Sequence, residues 1–425
     1  GFAAPGGETE RFPEGLHSAA VKPFFIMCIP HRTRQGLAMP SKVILAVLVL
    51  LFGAAGLARA ELIAVEPGGK VSLEEAARRA KDGDTISLAP ADFMGQVAVF
   101  AQSRLTIRGV PGKTRLLAQG RAAEGKAILV LRGQQVLVEG IEFRGARVPD
   151  HNGAGIRFEQ GSLTVRNCRF FDNENGILTA SHPGMTLDIE NSEFGRNGAG
   201  DGQSHNLYVG AIDSLVVRGS YFHHAIVGHL LKSRARDNDI RYSRLSDEIG
   251  GRASYELEFP NGGRATVIGN LIEQSSTTEN SKIIAYGAEG YRWPANVLTL
   301  AFNTLVDDRD RPGILLDVRP GLVSVLAANN LLVGLKPEFR RDLPGVFEGN
   351  LVVPFEVFAN AKRDDYRLAP GSPVLGRAVS LKVEGVDLVP TAEYVHPLSV
   401  RALSVTRLSP GAFQTPAAPA LGLKR

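Results

Sequence analysis

Apolar and polar residues repeat with one pattern over most of the chain. Each copy has an apolar residue, a second apolar residue two positions later, a small or amide residue three positions after that, and a large apolar residue two positions further. The copies occupy residues 136–143, 163–170, 187–194, 215–222, 238–245, 265–272, 298–305, 325–332 and 345–352. The small positions of successive copies are 20 to 33 residues apart, and a period in this range is typical of a solenoid.

Within each copy the pattern predicts two short strands. Apolar residues two apart have strand periodicity, and the single three-residue step breaks the alternation, as a corner between two strands does. Strands that recur after each coil stack in parallel at about 4.8 Å. The sequence therefore predicts an all-β fold, a single parallel β-helix solenoid.

The small residue of each copy should face inward beside the corner. Asparagine at this position can hydrogen-bond to the same position of the next coil and so form an amide ladder along the axis. We expect this column to contain Asn270, Asn303, Asn330 and Asn350, preceded by Cys168, Ser192, Ser220 and Ser243. In this interpretation Cys168 is a structural residue and not a reactive thiol.

The open N-terminal end of such a solenoid needs covering, because it exposes unpaired strand groups. Ser72 and Glu75 form a capping box, and Gly83 ends the helical run that follows. These signals predict an amphipathic N-terminal capping helix over residues 72–82, with the first coil starting at residues 84–88.

Residues 365–373 contain two prolines and a glycine and are predicted to lead out of the solenoid. The β-helix would then cover residues 61–375, and residues 376–425 would form a C-terminal cap and tail. The length of the chain alone would suggest two or three domains. A repeat, however, adds length without adding domains.

The only long apolar run covers residues 43–52. Lys42 precedes it and an Ala-x-Ala motif follows at 58–60, an arrangement typical of a secretory signal peptide, whereas a membrane span needs roughly 20 apolar residues. We predict a signal peptide over 39–60 that is cleaved at its end. Residues 1–38 would be an upstream extension; the alternative is a genuine, poorly ordered N-terminal tail.

The 425-residue chain has a net charge of +4 and a pI near 9.0, which would suit a nucleic-acid or membrane partner. Residues 1–60 carry six Lys or Arg and three Glu, so the rest has 42 basic and 41 acidic residues and is nearly neutral. With its single cysteine, this part suits the periplasm or exterior of a Gram-negative bacterium. We expect a monomer with no nucleic-acid partner and no integral membrane span.

Several motifs resemble those of a known group. The segment Leu-Glu-Glu-Ala-Ala at 73–77, Gly-Asp-Thr-Ile-Ser-Leu at 83–88, the coil repeat and Tyr-Arg-Leu-Ala-Pro-Gly-Ser-Pro at 366–373 are together similar to the right-handed parallel β-helix proteins of the pectate-lyase-like superfamily. The resemblance covers residues 61–375 and implies the fold. That superfamily contains lyases, hydrolases, epimerases and binding proteins, so the resemblance leaves the function open.

In such a solenoid the strand preceding the repeat forms another sheet, whose outer face is a groove suited to a polymer. The candidate strands are 155–158, 206–209, 230–235, 255–259 and 282–286. Alternation along each strand divides its side chains between the two faces. We expect the outer face to carry Arg157, Asn206, Tyr208, Lys232, Arg234, Arg236, Glu256, Glu258, and Lys282 or Tyr286.

Lys232, Arg234 and Arg236 would form a row of cations suited to carboxylate or sulfate groups, as in an acidic polysaccharide. A lyase must neutralise the uronate carboxylate, remove the proton beside it and protonate the leaving oxygen. Lys232 and Tyr208 are each candidates for the base or the acid, and Arg234 is the candidate neutralising group. The alternative is an ion-pair ladder of Lys232 and Arg234 with Glu256 and Glu258.

The segments 228–242 and 262–270 also resemble the Lys-Ser core of family 6 polysaccharide lyases, which cleave alginate or dermatan and chondroitin chains. The resemblance implies that Lys232 is the catalytic lysine. Ala225 and Val227 stand where that family has acidic calcium ligands, and residues 258–263 read Glu-Phe-Pro-Asn-Gly-Gly where it has Arg-His-Gly. We therefore predict no cofactor; Ca²⁺ remains an option that lacks the family's ligands.

His205 and His229 have the parity of inward-facing residues, so they are interior histidines in one interpretation and catalytic in the other. Glu256 and Glu258 would be about 6.5 to 7 Å apart, near the low end for inverting glycosidases. Because carboxylates of one strand do not normally flank a bond, hydrolysis by this pair is the poorer alternative.

The 33-residue interval contains a loop with the sequence Tyr-Gly-Ala-Glu-Gly-Tyr-Arg-Trp at 286–293. Tyr291 and Trp293 would either stack on sugar rings or anchor the loop. Four further acidic residues could bind calcium but are expected to form a solvated turn, since their spacing matches no defined calcium loop. These residues are Asp237, Asp239, Asp247 and Glu248.

The sequence thus predicts an exported enzyme that acts on a uronate-containing polysaccharide by β-elimination or C5 epimerisation. The alternative is a non-catalytic protein that binds glycans or supports the cell envelope.

Overall fold

The computed structural model describes residues 60–418 except 279, 322, 338, 340–342 and 382–386. Residues 1–59, which hold nearly all of the predicted signal peptide, and the last seven residues of the predicted tail lie outside this part. The described residues form three long parallel sheets that run side by side along one axis. No helix among them is long and apolar enough to cross a bilayer.

The first sheet has twelve described strands. They are Leu62–Val65, Thr85–Leu88, Arg104–Arg108, Gln135–Glu139, Ser162–Arg166, Thr186–Glu190, Ser214–Arg218, Asp237–Arg241, Arg264–Ile268, Val297–Ala301, Ser324–Ala328 and Gly345–Glu348. Eleven described strands form the second sheet. They are Asp92–Met94, Thr114–Leu117, Ile141–Arg144, Arg169–Phe171, Glu193–Gly195, Tyr221–His223, Arg244–Ser246, Leu271–Gln274, Thr304–Asp307, Leu331–Val333 and Leu351–Val352.

Nine strands within the described ranges form the third sheet, which is the one predicted to carry the groove. They are Ala98–Phe100, Ala127–Leu131, Ala154–Phe158, Asn175–Thr179, Leu207–Val209, Leu231–Ser233, Leu257–Phe259, Lys282–Tyr286 and Ile314–Val318. The five strands proposed for this sheet from the sequence are among them, with bounds that differ by at most two residues.

Each coil visits the three sheets in the same order. One coil runs from Leu231–Ser233 in the third sheet through Asp237–Arg241 in the first sheet to Arg244–Ser246 in the second, and reaches the third sheet again at Leu257–Phe259. Every strand of these sheets pairs in parallel with the equivalent strand of the next coil. The predicted parallel β-helix is confirmed.

The corner between the first and second sheets has one conformation in nine successive coils. One residue at each corner has positive φ, and this left-handed conformation is accessible mainly to Gly and Asn. The corner residues are Gly140, Asn167, Asn191, Gly219, Tyr242, Gly269, Phe302, Asn329 and Gly349. The small position of the repeat directly follows each of them.

The predicted ladder is confirmed as one continuous column of hydrogen bonds. The backbone N–H of Asn270 donates to Asn303 Oδ1 at 3.0 Å, and Asn303 donates in the same way to Asn330 at 2.9 Å. Towards the N terminus the acceptors become the hydroxyl groups of Ser243, Ser220 and Ser192, and the column ends on the N–H of Cys168. Burial raises the pKa of the Cys168 thiol to about 12, which agrees with its structural role.

A second interior column is aromatic. The rings of Phe143, Phe170, Phe194 and Phe222 stack in sequence with centroids 4.6 to 4.9 Å apart and planes within 10° of parallel. All four side chains are fully buried. These residues occupy the last position of the repeat, so its apolar character is explained by packing between successive coils.

The N-terminal end is covered by the helix Leu73–Arg79. Ser72 Oγ accepts from the Glu75 N–H at 3.1 Å, as the capping box predicts. The helix ends three residues earlier than expected, because the side chain of Gln102 donates to the carbonyl groups of Ala77 and Ala80 at 2.8 and 3.1 Å and so caps its last turn.

The C-terminal residues fold back along the second sheet after two short 3₁₀ helices, Phe355–Val357 and Ala361–Arg363. Two antiparallel strand pairs occur here. They are Phe358–Asn360 with Asp365–Leu368, and Ala392–Val395 with Ser399–Ala402. The N–H of Ala412 donates to Thr304 Oγ1 of the second sheet at 3.0 Å. This segment therefore packs against the outer face of the second sheet.

Candidate functional site

One row of side chains crosses the outer face of the third sheet in register. Lys232 pairs with Tyr208 of the preceding coil and with Glu258 of the following coil. Leu178 and Arg157 continue the row towards the N terminus. Tyr208, Lys232, Glu258 and Arg157 therefore share the outer face, as alternation predicted.

Lys232 lies between two carboxylates. Its Nζ is 3.1 Å from Glu258 Oε2 and 3.1 Å from Glu289 Oε1. The same Glu258 oxygen lies 2.8 Å from His229 Nε2. The side chains of Lys232 and Glu258 are 12% and 5% exposed, respectively, so this cluster of titratable groups is largely shielded from water.

Arg234 completes the cluster. Its guanidinium group donates two bonds to Glu289, at 2.6 and 2.9 Å, and one to the hydroxyl of Tyr208 at 2.8 Å. A fourth bond goes to Asn261 Oδ1 at 2.8 Å. We call Tyr208, His229, Lys232, Arg234, Glu258, Asn261 and Glu289 the site cluster.

Glu289 reaches the cluster from the loop in the longest interval of the repeat. The N–H of Glu289 donates to the Pro260 carbonyl at 2.9 Å, and the N–H of Arg292 donates to the Asn261 carbonyl at 3.0 Å. The Trp293 indole donates to the Arg234 carbonyl at 3.1 Å. The loop is thus fastened to the third sheet on both sides of Glu289, and Trp293 serves as one of its anchors.

The electrostatics of the cluster keep both carboxylates charged. Hydrogen bonds from Arg234, together with Lys232, hold the pKa of Glu289 at about 2. Burial alone would raise the pKa of Glu258, but the bond from His229 and the charge of Lys232 lower it overall. Burial lowers the pKa of His229, so its imidazole is neutral near pH 7.

Alternation fails at the N-terminal end of the third-sheet strands. Asn206 and Glu256 are fully buried inside the solenoid, so the prediction that they face the groove is wrong. The reason is a bend there: Leu230 and Leu231, which are adjacent in sequence, both lie in the core. The Asn206 side chain instead takes part in an interior amide network with Asn197.

The same bend turns His205 and His229 outward, against their predicted parity. His229 contacts Glu258, and the His205 ring stacks on Tyr208 with centroids 5.6 Å apart. Both imidazoles are nevertheless almost fully buried. Burial holds the pKa of His205 well below its usual range.

The other predicted groove residues lie apart from the site cluster. Tyr286 is buried, with its hydroxyl donating to the Gly263 carbonyl, so its placement in the groove is wrong. Arg236 is ion-paired with Asp213 and Asp237 and shares no partner with Lys232 or Arg234. Arg157 lies three coils before Lys232 in the outer row, and its Nε is 3.7 Å from Glu159 Oε1. Lys282 is paired with Asp317.

The position of Glu256 also excludes the hydrolase alternative. Glu256 lies inside the solenoid and Glu258 lies on its outer face, so the two carboxylates cannot flank one glycosidic bond. The ion-pair alternative is correct in part. Lys232 does pair with Glu258, but the partner of Arg234 is Glu289 and Glu256 pairs with neither.

The acidic residues considered for calcium do not converge. Asp237 and Asp239 are ion-paired with arginines of the first sheet, and Asp247 is buried instead of forming a solvated turn. Within the described ranges, no group of three or more His, Cys, Asp or Glu side chains is arranged to hold a metal ion.

Sequence reasoning missed Glu289 and Asn261. Glu289 is the one carboxylate in the run at 286–293, and this run lies in the longest interval of the repeat, just after a third-sheet strand. The position of this run in the sequence could have indicated that Glu289 reaches the sheet face, because long insertions in a solenoid cover such a face.

No family model and no curated protein matches the sequence. Among solved structures, pectate lyase Pel9A aligns with a TM-score of 0.50 at 12% identity, over 84% of this chain and 97% of that chain. A variant of AlyGC, a PL6 family alginate lyase, aligns with a TM-score of 0.35 at 17% identity, over 79% of this chain and 59% of that chain. At these identities the likeness concerns the fold. The chain is thus a parallel β-helix protein with the same fold as pectate lyase Pel9A, as the resemblance to the pectate-lyase-like superfamily implied.

Proposed function

We propose that this protein is an exported polysaccharide lyase that cleaves a uronate-containing polymer by β-elimination. The observation that carries the proposal is the convergence of Lys232, Arg234 and Tyr208 on one outer sheet face, where Arg234 contacts Tyr208 and shares Glu289 with Lys232. These are the three groups that the chemistry requires: a base, a carboxylate ligand and an acid.

In the proposed reaction Arg234 binds the substrate carboxylate in a bidentate manner and stabilises the charge that develops on it. Lys232, once its ammonium group has released a proton to the solvent, removes the proton from the carbon beside the carboxylate. The electron pair forms the new carbon–carbon double bond, and the bond to the leaving oxygen breaks. Tyr208 then donates its proton to that oxygen. Return of a proton to the opposite face of the same carbon would instead give C5 epimerisation.

Glu258 and His229 position the base in this scheme. Glu258 fixes the Lys232 ammonium group in the resting state, and His229 fixes Glu258. Because His229 is neutral, the negative charge of Glu258 is not offset by its neighbour. Glu258 is then the charged group of the sheet that faces Lys232. We expect both residues to act through Lys232, not on substrate directly.

A second candidate function is supported by the ion pairs themselves. Every charge of Lys232 and Arg234 is balanced by Glu258 and Glu289 of the same chain, which also suits a non-catalytic glycan-binding or envelope structural protein. The two functions differ in whether the protein cleaves the polymer that it binds.

Incubation of the purified protein with a panel of uronate polymers tests the proposal. A lyase should generate unsaturated chain ends, followed by ultraviolet absorbance, from at least one polymer. A binding protein should retain a polymer in affinity electrophoresis without any new absorbance, and this result would exclude the lyase function. Incorporation of deuterium from heavy water without chain cleavage would identify the epimerase variant.

Substrate binding requires Glu289 to leave Arg234, because both carboxylates would occupy the same donors. Glu289→Gln should therefore lower the KM for the polymer, by about tenfold, since one competing charge–charge interaction is removed. We expect kcat to change less. Steady-state kinetics at two salt concentrations measure both quantities.

Glu159→Gln is the matched control for this variant. Glu159 also pairs with a Lys and an Arg above the third sheet, Lys126 and Arg132, but it lies outside the site cluster. Its replacement should leave KM unchanged. A higher KM in Glu289→Gln would show that Glu289 instead holds Arg234 in its working position.

A further inference from the structure

A cavity of about 510 Å³ lies between the second sheet and the C-terminal segment. Arg244 and Glu248 line it from the solenoid, and the two antiparallel strand pairs of the C-terminal segment supply much of the rest of its wall. Cavities of roughly 300 to 1,000 Å³ are typical of small-molecule sites. The residues that line it are distinct from the site cluster, which lies on the third sheet.

Arg244 is the buried cation of this cavity. Leu245 faces the core, so Arg244, its neighbour on the same strand, faces outward into the space that the C-terminal segment covers. Only 7% of Arg244 is exposed. Its Nη1 donates to the Asp364 carbonyl at 3.0 Å, and its Nη2 lies 2.7 Å from Glu248 Oε1. Its Nε, by contrast, is buried without a hydrogen-bond partner. An unpaired N–H on a buried charge favours an acceptor that a ligand brings.

A second cation of the cavity is also unpaired. Arg363 is exposed and forms no hydrogen bond or ion pair within the part of the chain that the structure describes. It directly precedes Asp364, whose carbonyl group contacts Arg244, so the two cations border the same part of the cavity. The other two arginines of the wall, Arg367 and Arg401, are held by carboxylates of their own hairpins. One buried and one exposed guanidinium group are therefore left to bind an anion.

The carboxylates in the wall restrict what that anion can be. Glu248, Asp364 and Asp365 line the same cavity. They would repel a compact inorganic anion such as phosphate, but they accept hydrogen bonds from hydroxyl groups. The rings of Tyr394 and Phe413 add an apolar part to the wall. A sugar acid combines one carboxylate, several hydroxyl groups and a ring with apolar faces, and it therefore matches this wall.

The wall is fixed before any ligand arrives. Glu393 is 1% exposed, and its Oε2 accepts from the N–H groups of Gln414 and Thr415 at 2.6 and 2.9 Å. The hydroxyl of Tyr394 donates to the Pro397 carbonyl at 2.6 Å. These bonds join the hairpin to the last described segment, so little order has to be gained on binding.

We propose that this cavity binds one sugar acid per chain. Arg244 and Arg363 hold the carboxylate, and Glu248 and Asp364 accept hydrogen bonds from the hydroxyl groups. The site lies on a different sheet from the site cluster, and it does not require the lyase activity proposed for that cluster. A non-catalytic glycan-binding protein could use the same cavity.

Calorimetric titration of the whole protein with the sodium salts of glucuronate, galacturonate and mannuronate tests the site. We expect saturable binding of at least one of them, with one site per chain that persists in Lys232→Ala. Inorganic phosphate should bind at least about tenfold more weakly. Arg363→Ala should weaken binding of the sugar acid by about tenfold, since it removes one charge without breaking a contact within the chain. Arg244→Lys should weaken it at least as much, because an ammonium group does not reproduce the guanidinium fork.

Arg115→Ala is the matched control. Arg115 is a partly exposed arginine on the same sheet, five coils before Arg244, and it is paired with Asp92. Its replacement should leave binding unchanged. If Arg244→Lys lowers the melting temperature, the exposed Arg363 decides the result alone.

Three results would each overturn the proposal. They are the absence of saturable binding of all three acids, binding that Arg363→Ala leaves unchanged, and phosphate binding as tight as that of the sugar acid. Loss of binding in Lys232→Ala would place the sugar acid at the site cluster and would also contradict the proposal. A failure of the lyase function alone would leave binding at this cavity intact, so the two failures are distinguishable.

Discussion

Lys232→Ala should reduce turnover of the uronate polymer by a factor of about 10² to 10⁴, the usual contribution of a general base. Lys232 is the group in the outer row that can accept a proton next to the carboxylate held by Arg234. Its loss leaves Arg234, Tyr208 and Glu289 in contact with one another, so substrate binding should suffer less than chemistry. The expected change is therefore in kcat more than in KM, measured by the rate of formation of unsaturated ends.

Two further variants test whether the loss of activity is specific to Lys232 and to its role as a base. Lys232→Arg keeps the positive charge but cannot act as a base at neutral pH, so it should be as inactive as the alanine variant. Lys282→Ala removes a lysine of the same sheet that is also paired with a carboxylate, Asp317, and should retain activity. If Lys232→Ala keeps more than a tenth of the wild-type kcat, Lys232 is not the base.

Phe194→Ala should destabilise the solenoid by about 3–5 kcal/mol, the range for truncation of a buried aromatic side chain. The Phe194 ring is fully buried and stacks on Phe170 and on Phe222, with centroids 4.6 Å away in both directions. Its removal leaves a cavity in the middle of the aromatic column and breaks both stacking contacts. Chemical denaturation followed by far-ultraviolet circular dichroism measures the change.

Val352→Ala is the control, because Val352 has the same position in the last copy of the repeat but is 61% exposed. It should change the free energy of unfolding by less than about 0.5 kcal/mol. A loss below 1 kcal/mol in Phe194→Ala would mean that neighbouring coils collapse into the space and that the column tolerates gaps.

The architecture could be predicted from the sequence because each coil repeats the same pattern of small and apolar residues. The inward small position, the corner before it and the last apolar position recur in every copy, so the ladder from Cys168 to Asn350 and the phenylalanine column follow from the pattern alone. The outward positions of Tyr208, Lys232 and Glu258 likewise follow from alternation within three-residue strands.

The rest of the site could not be predicted in this way. Alternation assumes an uninterrupted strand, but the backbone bends before the strands Leu207–Val209, Leu231–Ser233 and Leu257–Phe259. The bend places Asn206 and Glu256 inside and His229 outside. The partnership of Arg234 with Glu289 joins residues 55 positions apart. It depends on how a loop of irregular length folds back, and no periodic signal encodes that path.

The loop that delivers Glu289 has a consequence for how this protein can diversify. It lies in the longest interval of the repeat, yet the strands before and after it, Lys282–Tyr286 and Val297–Ala301, pair with their neighbours in unbroken register. Insertions at this junction therefore leave the stacking of coils unchanged. The loop, and with it the charge placed over Lys232 and Arg234, can therefore change in sequence and length during evolution while the stacked coils stay the same.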